Sequence, residues 1–159
     1  MTNHEDADGD PGNRPHGQKY RILIVDDEPP VLELLDELLK GADYETLALS
    51  SPLDALKKAR MKEFDALVLD LYMPEMSGML FHAKLRVFDP DLASRTVFIS
   101  GYIAREELRN HLNATPTFLE KPFKTEDLLT MVKGVLPPTP RQKKAPPSRP
   151  PQSSHIEKT

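Results

Sequence analysis

Between residues 20 and 136 short apolar runs alternate with amphipathic stretches, and this alternation leaves a parallel sheet flanked by helices as the architecture. The runs are YRILIV at 20–25, ETLAL at 45–49, ALVL at 66–69, TVFI at 96–99 and TFL at 117–119. The first, third and fourth are almost continuously apolar, as strands covered on both faces must be. Between them Val31, Leu34, Leu35, Leu38 and Leu39 fall on one helical face, and Leu128, Met131, Val132, Val135 and Leu136 repeat that spacing. Ser51, Pro52 and Asp54 form the start of another helix that should end near Arg60. A further helix is expected at about 78–87, stopping before an Asp89-Pro90 turn. Another at about 104–112 (AREELRNHL) has only a thin apolar stripe and should be weakly anchored. The expectation is an α/β chain, a single doubly wound sheet of five parallel strands flanked by five helices.

The sixteen prolines lie mostly near the two ends, so one folded domain at 20–136 is expected between an acidic disordered tail at 1–19 and a basic, Pro-rich disordered tail at 137–159. The net charge of −4 divides accordingly into −2, −6 and +4 for first tail, domain and last tail. An acidic domain binds bare nucleic acid poorly, and no helical DNA-binding unit follows Leu136, so direct DNA binding is not expected. The basic tail is either a docking segment or an inert extension. There is no cysteine, which excludes disulfides and thiolate metal sites. The five histidines form no ligand pair at helical spacing and are expected at the surface rather than as phosphodonors. No apolar run approaches the roughly 18 residues of a membrane span, and the first residues lack a signal pattern, so no membrane insertion and a cytoplasmic location are expected.

Ligands of open parallel sheets bind beyond the carboxyl ends of the strands, so the residues after each run are informative. The first run leads to Asp26, Asp27 and Glu28, the third to Asp70, the fourth to Ser100 and Gly101, and the fifth to Lys121 and Pro122. Acids gathered on one rim repel one another unless a hard divalent cation such as Mg²⁺ joins them. A phosphoryl group arriving on one carboxylate would need its oxygens neutralised by that metal, a lysine and a hydroxyl donor. Asp70, central on the rim, is the carboxylate placed to be the nucleophile.

The segments ILIVDDE, LVLDLYMPEMSG, VFISGY and LEKPF resemble the four motif blocks of the response-regulator receiver domain, and together they cover nearly all of 20–136. The resemblance implies a flavodoxin-like strand order, 2-1-3-4-5, with Asp70 as phosphoacceptor. It implies Asp27 as a direct Mg²⁺ ligand, Asp26 acting through water and Tyr72 contributing its backbone carbonyl. Ser100 would hydrogen-bond the phosphoryl group, Lys121 would pair with it, and Pro122 would follow a cis peptide bond. Gly101 would give room beside Ser100, and Gly78 would permit a tight turn in the loop containing Met73-Pro74 and Ser77. Phe118 stands at the aromatic switch position, usually Tyr. By the same resemblance Tyr72 and Tyr102 would flank the path of an attacking water, and slow loss of the phosphoryl group is expected from their bulk.

A haloacid-dehalogenase-like phosphatase also uses a strand-end Asp with Mg²⁺ and Lys, but needs a second acid two residues on, where this chain has Tyr72. A degenerate receiver serving only as an interaction module is disfavoured by the full set Asp27, Asp70, Ser100 and Lys121. The expected function is that of a stand-alone receiver, not a true enzyme. It would take a phosphoryl group from the phosphohistidine of a sensor kinase or histidine phosphotransfer protein and change its affinity for a downstream protein.

Overall fold

Ile22, Leu23, Ile24 and Val25 are all fully buried, which requires a strand with neighbours on both edges and helices on both faces. In a computed structural model, describing residues 17–101, 105–112 and 117–142, they form β1 (Arg21–Val25). It pairs in parallel with β2 (Glu45–Leu49) on one side and β3 (Ala66–Asp70) on the other. Beyond β3 lie β4 (Thr96–Ser100) and β5 (Phe118–Glu120), giving the order β2-β1-β3-β4-β5 expected for this chain.

Because successive strand side chains point to opposite faces, the strands feed two cores. Leu23, Val25, Leu67, Leu69 and Phe98 face one way and pack with Ala55 and Ala59 of α2 (Pro52–Ala59), Phe81 and Leu85 of α3 (Gly78–Phe88) and Leu92 of α4 (Pro90–Ser94). Leu108 of α5 (Arg105–Leu112) joins that cluster. Ile22, Ile24, Val68, Val97 and Ile99 face the other way, against Leu35 and Leu39 of α1 (Pro29–Gly41) and Leu128 and Val132 of α6 (Thr125–Val135).

Ser51 caps α2 as expected, its hydroxyl accepting the Asp54 N–H at 3.3 Å with Pro52 in the first turn. The expectation of five helices is corrected to six among the described residues. Asp89 does not merely begin a turn: its carboxylate accepts the Leu92 N–H at 3.1 Å and, with Pro90 in the first turn, starts the short α4, which buries Leu92 and Ala93. Two histidines were expected at the surface and are not found there: His82 is only 3% exposed, on the same face of α3 as Phe81 and Leu85, and His111 on α5 is partly buried.

The chain does not leave the domain at Leu136. Tyr20 donates its hydroxyl to the Pro137 carbonyl at 2.7 Å, Pro140 is buried, and the Arg141 N–H donates to Asp65 Oδ1 at 2.6 Å. The Arg141 guanidinium grips both oxygens of Asp89 at 2.6 and 2.9 Å. Residues 137–142 thus run as a strap across the amino-terminal edge of the sheet. Residues 1–16 and 143–159 of the two expected tails lie outside the described residues.

Candidate functional site

Parallel strands deliver their carboxyl ends to one edge, and there the order β2-β1-β3-β4-β5 sets Asp70 of β3 between the end of β1 and the end of β4. Asp70 is 5% exposed, Asp26 1% and Ser100 fully buried. The carboxylates of Asp26, Asp27 and Asp70 each place an oxygen within 4.8 Å of the others. Lys121, after β5, reaches back over the edge: its Nζ lies 3.0 Å from Asp26 Oδ2, 3.6 Å from Glu28 Oε2 and 3.8 Å from Asp70 Oδ1. Asp70, Ser100 and Lys121 line one pocket of about 240 Å³ with Glu28, Tyr72 and Gly101. Asp26, Asp27, Asp70, Tyr72, Ser100 and Lys121 are thus brought together, whereas Tyr102 lies outside the described residues. The Lys121-Pro122 bond is cis, as the resemblance implied.

Burial, and then the negative charge of Asp26, push Asp70 up to about 7, against the opposing pull of Lys121 and a hydrogen bond from the Tyr72 N–H. Burial also raises Asp26, although the Glu28 N–H and Lys121 both hydrogen-bond to it. Burial works against the charge on Lys121, but its bond to Asp26 and the nearby Asp70 outweigh that and hold it above the usual lysine range. Oδ1 of Asp27 is buried and has no hydrogen-bond partner among the described residues. Three crowded carboxylates with one orphaned oxygen suit a hard, oxygen-seeking cation such as Mg²⁺.

The loop after Asp70 is held from below. Met73 and Met76 are buried in the core, the Gly78 N–H donates to the Leu71 carbonyl at 2.8 Å, and Ser77 caps α3 through the Leu80 N–H. Gly78 matters for proximity rather than for turning: a Cβ there would stand 2.2 Å from the Asp70 carbonyl oxygen. Glu75, exposed at the loop tip, carries the positive φ of 70° instead. At Gly101 a Cβ would meet only ordinary contact with Lys121, so the room expected beside Ser100 does not require glycine. The methionine anchors were not foreseen, because Met73 and Met76 sit in a loop without periodicity. Phe118, at the expected switch position, is buried.

The family model for the response regulator receiver domain matches residues 22–133. The chain is 33% identical over 127 residues to the response regulator protein TmoT of Ectopseudomonas mendocina, covering 79% of this chain and 57% of that one. With the DNA-binding response regulator MtrA of Mycolicibacterium smegmatis it shares 29% over 119 residues, 74% and 51% of the two lengths. It spans about half the length of the curated relatives it matches. Among solved structures, the response regulator TrrA of Thermotoga maritima in complex with Mg²⁺ and BeF superposes with a TM-score of 0.63 at 31% identity, over 74% of this chain and 99% of that one. The chemotaxis protein CheY4 of Vibrio cholerae gives 0.63 at 27%, over 75% and 100%. Receiver domains are signalling modules that work with histidine kinases and downstream effectors and bind Mg²⁺ at an acidic pocket. This chain belongs to the response regulator receiver domain family.

Proposed function

We propose that this chain accepts a phosphoryl group from the phosphohistidine of a sensor kinase or histidine phosphotransfer protein onto Asp70, in a Mg²⁺-dependent reaction, and that the modified domain changes its affinity for a protein partner in the cytoplasm. The observation that carries this reading is the placement of Asp70: buried at the centre of the edge, within 4.8 Å of two further carboxylates and 3.8 Å from Lys121 Nζ. Asp27 and Asp70 would hold the metal directly, with the Tyr72 backbone carbonyl, and Asp26 through water. When bound, Mg²⁺ supplies positive charge against the carboxylates and the incoming phosphoryl oxygens.

The chain's own groups perform the rest. A carboxylate oxygen of Asp70 attacks phosphorus as the P–N bond to the donor imidazole breaks, the electron pair leaving with the ring. Lys121, already charged and poised between Asp26 and Asp70, pairs with the phosphoryl oxygens, and the Ser100 hydroxyl donates to them. Mg²⁺-dependent uptake of labelled phosphoryl from acetyl phosphate and from a phosphorylated kinase tests the reading. Uptake by the wild type that disappears with EDTA and in Asp70→Asn is expected. No uptake under any condition would favour a phosphorylation-independent interaction module instead.

A further inference from the structure

We propose that His82 and His111 form a proton-sensitive latch that sets how firmly α5 is held against the domain. Helix α5 follows the strand that ends in Ser100, and its sequence REELRNHL provides little apolar surface. Leu108 is buried, Leu112 is half-buried, and His111 meets His82 of α3 edge to face at 5.6 Å between ring centres. His82 is in turn tilted against Phe98 of β4 at 5.1 Å.

The tautomer of His82 follows from its partner. Its Nε2 lies 2.9 Å from the Ala93 carbonyl of α4, and a carbonyl only accepts, so Nε2 carries the hydrogen. In the neutral ring Nδ1 is therefore a bare lone pair, and it is buried with no hydrogen-bond partner among the described residues, as is Nε2 of His111. A proton added at Nδ1 would create a cation with no acceptor for it among the described residues. The ionisable neighbours do not help: from α3 the group facing both rings is the Arg86 guanidinium, and from α5 the group facing His82 is the His111 imidazole. Beyond these, α4 offers the Ala93 carbonyl and β4 the Phe98 ring. Glu107 on α5 and Asp91 on α4 are exposed, and Asp89 is engaged by Arg141.

Burial holds both histidines below the usual imidazole range; on His82 it prevails over the upward pull of the Ala93 carbonyl, with His111 and Arg86 adding to it, and on His111 Arg86 adds to it. The sign follows. A histidine whose pKa is depressed in the packed state favours that state at high pH. The preference is lost as pH falls through the ordinary imidazole value near 6.5 towards the lower packed value. In this window protonation is easiest when α5 swings out and wets the rings, and each histidine multiplies the open population by up to about tenfold per pH unit.

Hydrogen exchange on the full chain, corrected for intrinsic rates, tests the latch. Between pH 7.5 and 5.5 the α5 amides should lose roughly tenfold or more in protection while β3 and β4 amides keep theirs. The loss should shrink in His82→Leu and in His111→Leu, vanish in the double variant, and persist in Asp70→Asn, where the carboxylate site no longer titrates as in wild type. Should a leucine variant not fold, the wild-type imidazole resonances decide, since both rings must titrate below the free-imidazole range. Equal α5 protection at the two pH values, an undiminished pH response in the leucine variants, its loss in Asp70→Asn, or rings titrating normally would each overturn the latch.

Discussion

Asp70, the proposed nucleophile, has its carboxylate held in opposed tension, with burial and the charges of Asp26 and Asp27 raising its energy and Lys121 lowering it. Substitutions at single residues should separate these roles. Asp27→Ala removes a carboxylate whose Oδ1 has no hydrogen-bond partner among the described residues, so Mg²⁺ affinity measured by calorimetry should fall by about tenfold or more; unchanged affinity would remove Asp27 from the metal. Gly78→Ala forces a Cβ onto the Asp70 carbonyl and should cost about 1–3 kcal/mol in urea unfolding. Tyr72 is 48% exposed at the pocket rim, where its ring can screen the approach of water. Tyr72→Asn should therefore hasten decay of the isolated phosphoprotein several-fold in single-turnover measurements. Decay no faster than wild type would dismiss the shielding. The site residues were legible from sequence because a topological rule, not a contact, collects strand ends on one edge. What sequence could not give was the reach of Lys121 to three separate acids. The burial of His82 escaped too, although its place between Phe81 and Leu85 on one helical face was a usable signal.

Among the elements, the strap at 137–142 has the sharpest consequences. Arg141 contributes two guanidinium bonds to the buried Asp89 and a backbone bond to the buried Asp65. Arg141→Ala would leave Asp89 buried without its cation, costing about 1–3 kcal/mol, and truncation after Leu136 should cost at least as much. Burial alone would raise Asp89, but its bonds from Arg141 and the Leu92 N–H win and hold it below the ordinary carboxylate range. Its contribution is thus present above about pH 4 and lost as pH falls through its lower folded value. Asp65 moves the opposite way, raised by burial despite hydrogen bonds from Arg21 and Arg141. The difference in stability between wild type and Arg141→Ala should therefore shrink below about pH 4, as both acids protonate. A constant difference down to pH 2.5 would show that the ion pair is not its source. Neither the strap nor α4 was legible in advance. A five-residue helix is too short to show a period, and the Pro-rich composition hid a segment whose bonding partners lie 52 and 76 residues earlier. The longer helices were legible because each repeats its apolar positions over several turns.

At the scale of the whole molecule, the parallel sheet separates two tasks. Asp26, Asp27, Asp70, Ser100 and Lys121 occupy the carboxyl edge, whereas Tyr20, Asp65 and the strap occupy the amino edge. Chemistry and anchoring should accordingly be separable by mutation. Asp70→Asn should retain or raise the unfolding midpoint in metal-free buffer, since it relieves crowding among three carboxylates. Arg141→Ala should lower the midpoint and leave the rate of phosphoryl uptake unchanged. A loss of uptake in Arg141→Ala at a temperature where it is folded would show that the two edges are coupled. The most direct test of the central claim is chemical localisation of the phosphoryl group: borohydride reduction of the phosphorylated chain, followed by peptide mapping. An acyl phosphate on Asp70 predicts homoserine at position 70, formed only when donor and Mg²⁺ were both supplied. Reduction at Asp26 or Asp27 instead, or label retained on a histidine with position 70 unchanged, would contradict it.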